Sequence, residues 1–165
     1  MLSEIDKQTL LEKLRQQARA QLHDLTQSQR VSQAGATHEE TRAEDPKDTR
    51  ATEASYLARG LAERAEQLEA ELERLNAFAA PAMASEDVVK PGALVRVEEA
   101  EGGAETIYFL LPAGGGEVLS LGEVRVRVLS PRSPIGRALV GREVGDDFSV
   151  DLPRGRMTFF IAELC

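Results

Sequence analysis

The apolar residues in the first half of the chain recur with the period of an α-helix. From Ile5 to about Gln33 the sequence consists of strong helix formers and contains neither Pro nor Gly. The apolar positions of one helix face are Ile5, Leu11, Leu14, Ala18, Leu22 and Leu25. Beyond Leu25 this face becomes small or polar, and Gly35 ends the pattern. The spacing predicts one helix whose far end is weakly packed.

A second helix is predicted from about Pro46 to Ala79, because its apolar residues are spaced alternately by three and four. They are Ala54, Leu57, Leu61, Ala65, Leu68, Leu72, Leu75 and Ala79. This spacing is the seam of a coiled coil, and the charged residues between these positions are typical of a solvated face. Two helices joined by a short polar segment fold back on each other, which gives a hairpin roughly 45 Å long. We therefore predict an antiparallel coiled-coil hairpin over residues 1–79, with its tip at about residues 35–48.

The period of the apolar residues changes to two after a linker at 80–92, which contains Pro81, Pro91 and Gly92. Alternating segments predict strands at 93–97, 105–111, 123–129, 147–152 and 156–164. Between the third and fourth strands, Ser133 as N-cap and Pro134 as first helical residue predict a short helix. The sequence AGGGE (113–117) lacks the Lys-Ser/Thr of a phosphate-binding loop and favours a hairpin turn. Residues 93–165 are thus predicted to form an α+β domain with a small antiparallel sheet.

Charge and cysteine content limit the classes of function. The 165 residues carry a formal net charge of -8, which argues against a protein held mainly by nucleic-acid phosphates and favours a partner with a basic surface. The single Cys165 cannot form an internal disulfide, which is typical of a reducing cytosol. No apolar run approaches the roughly 20 residues of a membrane span. We expect a soluble, cytoplasmic protein without a membrane partner.

Acidic residues are concentrated where the two predicted helices meet. They are Glu39, Glu40, Glu44, Asp45 and Asp48. Asp45 followed by Pro46 is a good helix start, because an N-cap acceptor and an acid near the positive end of the helix dipole both stabilise it. The sequence THEE (37–40) likewise fits a capping box for a single turn. These carboxylates are also suitable metal ligands, and the residues alone leave both interpretations open.

The segment VRVLSPRSPIGRALVGREVGDDFSVDLPRG (124–155) resembles the bacterial Gre transcript-cleavage factors, GreA and GreB. The resemblance rests on Ser130-Pro131, then on the run from Ser133 to Leu139, then on Gly141 and Gly145-Asp146. Members of this family have an N-terminal antiparallel coiled coil followed by a C-terminal domain with an FKBP-like fold. The order of elements in this chain agrees, so the resemblance extends over nearly all of it.

The resemblance implies a partner and a mechanism. The C-terminal domain would dock at the rim of the RNA polymerase secondary channel, and the hairpin would reach through the channel to the 3′ end of backtracked RNA. Acidic residues at the tip would help to hold a second Mg²⁺ ion and its water while the polymerase cuts the RNA. The chain would thus be a monomeric accessory factor with no cofactor of its own rather than an enzyme.

The family motif transfers to particular residues. Its tip pattern, an acid followed three residues later by a second acid, falls on Asp45 and Asp48, with Glu39, Glu40 and Glu44 as secondary tip acids. The predicted polymerase contacts in the C-terminal domain are Arg132, Ser133, Pro134, Ile135 and Arg137. The scattered Arg15, Arg19 and Arg30 of the first helix are interpreted as solvated, with contact to RNA or the channel as the alternative.

Two departures from the family pattern keep other functions open. Asp48 stands where the family has Glu, and Tyr56 lies eleven residues after Asp45, where the family has a Tyr about seven residues on. Alignment on Tyr56 would instead put Thr49 and Thr52 at the acidic positions. One alternative is therefore a regulator that occupies the channel and inhibits transcription without cleavage. Another is an interaction protein whose coiled coil dimerises.

Overall fold

The computed structural model describes residues 2–40, 49–153 and 155–165. Two long helices precede an α+β domain, which confirms the predicted fold class. The elements are a 3-10 turn (Leu2–Glu4), α1 (Lys7–Glu40), α2 (Thr49–Ala77), β1 (Leu94–Glu99), β2 (Glu105–Leu110), β3 (Val118–Leu121), β4 (Val124–Leu129), α3 (Pro134–Leu139), β5 (Asp147–Leu152) and β6 (Gly155–Leu164). The chain divides into a helical unit, Gln16–Glu73, and a sheet unit that joins Met1–Arg15 to Arg74–Cys165. Among the described residues, no helix has the length and apolar character needed to cross a membrane.

The helical unit keeps only part of the predicted seam. Ala18, Ala65 and Leu68 are buried, as the spacing predicts. Leu57 is 58% exposed, so its predicted place in the seam is wrong. The reason is the change of residue type in α1, because beyond Leu25 its seam positions are small or polar and offer little apolar surface.

The predicted carboxyl ends of both long helices need correction. α1 continues through Gly35 to Glu40, so Gly35 does not end the helix and THEE (37–40) is not a separate capped turn. A Gly within a helix costs only about 1 kcal/mol relative to Ala, which the surrounding helix formers offset. α2 ends at Ala77, two residues before the predicted end. The predicted start of the second helix at Pro46 lies outside the described residues.

The start of α1 is fixed by a side-chain cap. The Asp6 carboxylate accepts hydrogen bonds from the Gln8 N–H at 3.0 Å and from the Thr9 hydroxyl at 2.6 Å. The first bond satisfies a backbone donor that the first turn of a helix leaves unpaired, and the second holds the carboxylate in place. The helix therefore begins at Lys7, and Ile5 precedes it.

The Asp6 cap predicts a pH dependence of stability. The hydrogen bond from the Thr9 hydroxyl, followed by that from Gln8, lowers the pKa of the Asp6 carboxyl. A pKa lowered by folding stabilises the folded state above the unfolded pKa of about 3.9, and this contribution is lost as the pH falls through the folded pKa. We expect Asp6→Ala to lower the free energy of unfolding at pH 7 and to change it less at pH 3. Urea titrations at both pH values measure the difference, with exposed Asp24→Ala as a control that changes little at either.

The sheet unit contains a six-stranded mixed sheet in the order β3-β4-β2-β1-β6-β5. β2 and β4 pair in parallel, and all other neighbours are antiparallel. The prediction of five antiparallel strands is therefore wrong on two points, since β3 is a sixth strand and one pair is parallel. After β2 the chain crosses to β3 at the edge of the sheet and returns through a turn at Gly122 to place β4 between β3 and β2. Residues 113–117 belong to this crossover rather than to the predicted hairpin turn.

The sheet is covered on both faces. On one face α3 packs, through Leu139, into a cluster that includes Tyr108, Phe148, Phe159 and Ile161. On the other face Leu94, Phe109, Leu119, Val126 and Val128 are buried. The first turns of α1 lie on this second side, where Leu14 is buried and contacts Gly114. Lys13 Nζ also donates to the Ser120 carbonyl of edge strand β3 at 2.7 Å.

Arg15 of α1 caps the carboxyl end of α2. Its Nε and Nη2 donate to the Leu75 carbonyl at 3.1 and 2.8 Å, and Nη2 also donates to the Phe78 carbonyl at 2.9 Å. The side chain is only 18% exposed. These bonds satisfy carbonyls that a helix end leaves unpaired, and they bring the start of α1 beside the end of α2 as an antiparallel hairpin requires. The interpretation of Arg15 as solvated or as a contact to RNA or the channel is therefore wrong.

Loss of this cap is expected to destabilise the sheet unit. Arg15→Ala removes charge-assisted hydrogen bonds from the Phe78 carbonyl and from the Leu75 carbonyl, which keeps only the Phe78 N–H at 3.3 Å, so the free energy of unfolding should fall by about 2 kcal/mol. Urea denaturation followed by circular dichroism measures the change. The exposed Arg30 of α1 supplies a matched control, since Arg30→Ala should change stability by less than about 0.5 kcal/mol. Equal effects of the two substitutions would contradict the capping role.

Candidate functional site

Most of the predicted tip acids lie outside the described residues. Glu44, Asp45 and Asp48 fall within 41–48, so their predicted roles remain predictions. The backbone of Glu39 and Glu40 forms the last two residues of α1. In the part of the chain that the structure describes, no group of three or more His, Cys, Asp or Glu residues is arranged to hold a metal ion.

The first turns of α2 present Tyr56 to solvent. Its side chain is 72% exposed, and with Thr52, Ser55 and Arg59 it lines a shallow concavity of about 480 Å³. Residues spaced by three and four lie on one face of a helix, which explains why these four come together. Tyr56 is thus available for contact with a partner.

The loop and helix at residues 130–141 form a tightly bonded turn. The Ser130 carbonyl accepts hydrogen bonds from the Ser133 N–H at 3.0 Å and from the Ser133 hydroxyl at 2.7 Å. Ser133 Oγ in turn accepts from the Gly136 N–H at 3.0 Å and so caps α3. Pro134 follows as the first helical residue, where its missing N–H costs nothing. The predicted N-cap and helix start are confirmed.

Gly136 allows the turn to close. A Cβ at this position would collide with the Ser130 carbonyl oxygen and would lie 3.0 Å from Pro131 Cα. These are backbone atoms, which cannot move away as the end of a flexible side chain can. The Gly of the SPIG sequence is therefore required by the close approach of α3 to the preceding loop.

The predicted contact residues of this segment divide into two groups. Ser133 is the N-cap, and Ile135 is half-buried against the apolar cluster, so both stabilise the fold. Arg132, Pro134 and Arg137 are exposed. These three side chains are the ones that a partner could reach, and their role as contacts remains a prediction.

A cleft of about 420 Å³ lies beside this turn. The crossover loop contributes Gly115 and Gly116 to its wall. The rest of the lining comes from Tyr108, Val118, Arg127, Val128, Leu129, Ser130, Ser133 and Ile135. The sequence analysis missed this cleft, because its walls come together only through the crossover that places β4 beside β2.

Cys165 does not have the properties of a reactive thiol. Burial raises the pKa of this half-buried thiol, and Lys7 opposes the shift only in part. A raised pKa keeps the thiol protonated at neutral pH, whereas nucleophilic attack needs the thiolate.

Comparison with known proteins places these features among related chains. Residues 84–164 match the family described as "Transcription elongation factor, GreA/GreB, C-term". Transcription elongation factor GreA of Solidesulfovibrio magneticus is 32% identical over 121 residues, which cover 73% of this chain and 70% of that protein. GreA of Nitratidesulfovibrio vulgaris is 38% identical over 80 residues, 48% of this chain and 45% of that protein. The latter match thus spans less than half of the relative's length.

A solved structure also aligns over most of the chain. It is the crystal structure of GreA factor homolog 1 (Gfh1) of Thermus thermophilus, which is 22% identical, with 92% of this chain and 94% of that chain covered and a TM-score of 0.40.

Proposed function

The chain belongs to the GreA/GreB family of transcription elongation factors, and from this membership we propose that it binds RNA polymerase through the secondary channel and stimulates cleavage of backtracked RNA. The observation that carries the proposal is the order of parts along the chain. Helices of 34 and 29 residues flank an acidic segment, and a sheet domain follows them. This is the arrangement needed to bring carboxylates to a distant reaction centre while a separate domain binds the surface.

The acidic segment would supply oxygen ligands. Carboxylate oxygens are the donors that Mg²⁺ prefers, so Asp45 and Asp48 fit this ion by their chemistry. Mg²⁺ in the polymerase active site would supply Lewis acidity toward the scissile phosphate and toward water. Asp45 and Asp48 would hold and orient the ion, with Glu39, Glu40 and Glu44 as secondary acids. The chain is then an accessory factor, because the polymerase performs the cleavage.

The sheet domain would supply affinity for the polymerase. Arg132, Pro134 and Arg137 are exposed beside the cleft, and the turn that carries them is held by the Ser130, Ser133 and Gly136 contacts. A rigid turn loses little entropy on binding, which favours a well-defined docking surface.

A stalled, backtracked elongation complex with labelled RNA tests the proposal. We expect the purified chain to be a monomer, to co-elute with core polymerase and to release short 3′ RNA fragments. Binding without any release of fragments would contradict the cleavage function.

The alternative is a channel-binding regulator that inhibits transcription without cleavage. Two departures from the family pattern favour this alternative. Asp48 stands in place of Glu, and Tyr56 lies eleven residues after Asp45. Inhibition of multi-round transcription that persists in Asp48→Asn would support this alternative. Release of 3′ RNA fragments by the unchanged chain would contradict this alternative.

A further inference from the structure

Arginine residues are concentrated in one segment of this acidic chain. Residues 124–142 contain five arginines and no Asp or Glu, although the whole chain has a net charge of -8. They are Arg125, Arg127, Arg132, Arg137 and Arg142. The segment covers β4, the following turn and α3. A local positive surface is therefore built into a chain that is negative overall.

The structure places Arg127 in the wall of the cleft, with Arg125 and Arg132 near it in the chain. Arg125 and Arg127 are two residues apart on β4, so both side chains lie on the same face of the sheet. Their partners on edge strand β3 are Ser120 and Val118, neither of which is acidic. Arg127 lines the cleft, and Arg132 lies in the turn whose Ser130 and Ser133 also line it. Arg125, Arg127 and Arg132 are all exposed.

Arg96 on β1 shows how this sheet holds a structural arginine. Its guanidinium lies 2.8 Å from Glu98, 3.2 Å from Glu105 and 3.5 Å from Glu163. Within residues 2–40, 49–153 and 155–165, no ion pair holds Arg125, Arg127 or Arg132. Their positive charges are thus available to an acidic partner.

The cleft next to these arginines has apolar walls. Val118, Val128 and Ile135 contribute to its lining, and Tyr108 lies on the strand beside Arg127. An apolar recess with arginines on one side matches a protein segment that carries an apolar side chain next to acidic residues. Nucleic acid fits less well, because the chain's net negative charge repels phosphates and the backbone of nucleic acid has no apolar group for the recess.

We propose that Arg125, Arg127 and Arg132, together with the neighbouring cleft, form the docking surface for an acidic protein segment. One apolar side chain of that segment enters the cleft, and its carboxylates pair with the three arginines. The proposal deepens the proposed function and rests on it, since the segment then belongs to the RNA polymerase surface that binds the sheet domain.

Reversal of charge on β4 tests this surface. The Arg125→Glu/Arg127→Glu variant should bind core polymerase about 100-fold more weakly than the unchanged chain, because two favourable charge pairs become repulsive. The affinity of the unchanged chain should fall as salt is raised, and the variant should show a shallower dependence. Arg156→Glu is the matched control, since Arg156 is an exposed arginine of β6 outside the cleft. This variant should bind core polymerase with an affinity within about twofold of that of the unchanged chain.

The outcomes separate the two proposals. If the unchanged chain binds polymerase and the double variant binds equally well, the docking surface is wrong while the proposed function stands. If the unchanged chain does not bind polymerase, both fail. Binding of a single-stranded or duplex RNA that is lost in the double variant would overturn the assignment to an acidic protein. Arg125→Gln/Arg127→Gln, with folding checked by circular dichroism, should show a smaller loss and guards against an effect of misfolding.

Discussion

Asp45→Asn/Asp48→Asn should reduce the release of 3′ RNA fragments from a backtracked complex by about 10- to 100-fold. Loss of groups that orient a catalytic metal typically has an effect of this size. Asn is chosen because it caps a helix about as well as Asp, so a helix start at these residues, as the sequence predicts, would be preserved while the negative charges are removed. The variant therefore separates the two interpretations of this segment, a helix start and a set of metal ligands. Gel analysis of the labelled RNA measures the rate.

Binding must be measured beside cleavage for this result to be specific. The double variant should keep its affinity for core polymerase, because the proposed docking surface is on the sheet domain. Asp24 is an exposed acid of α1, and Asp24→Asn should leave both the affinity for polymerase and the rate of cleavage unchanged. Full cleavage by the double variant would show that these two carboxylates are not the metal-assisting residues. Glu39, Glu40 and Glu44 would then be the next acids to replace.

Gly136→Ala should lower the free energy of unfolding of the sheet unit by about 3 kcal/mol. The added Cβ would collide with the Ser130 carbonyl oxygen, and relief requires movement of the turn that caps α3. This movement would also break the bond from the Gly136 N–H to Ser133 Oγ. Urea denaturation at neutral pH, followed by circular dichroism, measures the loss.

Gly60→Ala in α2 is a control that should change the free energy of unfolding in the opposite direction. No atom lies within 4 Å of a Cβ built at Gly60, and Ala is a better helix former than Gly. Gly60→Ala should therefore raise the free energy of unfolding by about 0.5 to 1 kcal/mol. If Gly136→Ala were also neutral or stabilising, the close approach of α3 to residue 130 would not be a real constraint.

The sequence predicted the parts of the fold that depend on local periodicity. The apolar stripe predicted both long helices, and period-two segments predicted five of the six strands. The N-cap Ser133 was also predictable, because capping needs only residues within one turn. What the sequence did not predict depends on residues far apart in the chain. The parallel pair of β2 and β4 needs the crossover through β3, and the role of Arg15 needs the carbonyl of Leu75, sixty residues away.

The candidate site shows the same difference between features that local sequence predicts and features that depend on distant residues. The resemblance in 124–155 led to Arg132 and Arg137, but it also included Ser133 and Ile135, whose side chains stabilise the turn and the core. The exposure of a side chain is set by what packs against it, which a linear motif does not state. Arg125 and Arg127 were missed because alternation with valine reads as an ordinary strand. The absence of acids across residues 124–142 was the signal that could have found them.

The position of β6 in the sheet has a consequence for synthesis of the chain on the ribosome. β6 pairs with both β1 and β5, and its Glu163 accepts a hydrogen bond from the Leu2 N–H. The surface that buries Leu10, Leu11 and Leu14 depends on this sheet, in which β6 is translated after the other strands. Such contacts of high sequence separation form slowly, and those of β6 cannot form before β6 has been synthesised. We therefore expect nascent chains to carry the apolar face of α1 uncovered until β6 has been synthesised, and a chaperone that binds this face would protect it during that time.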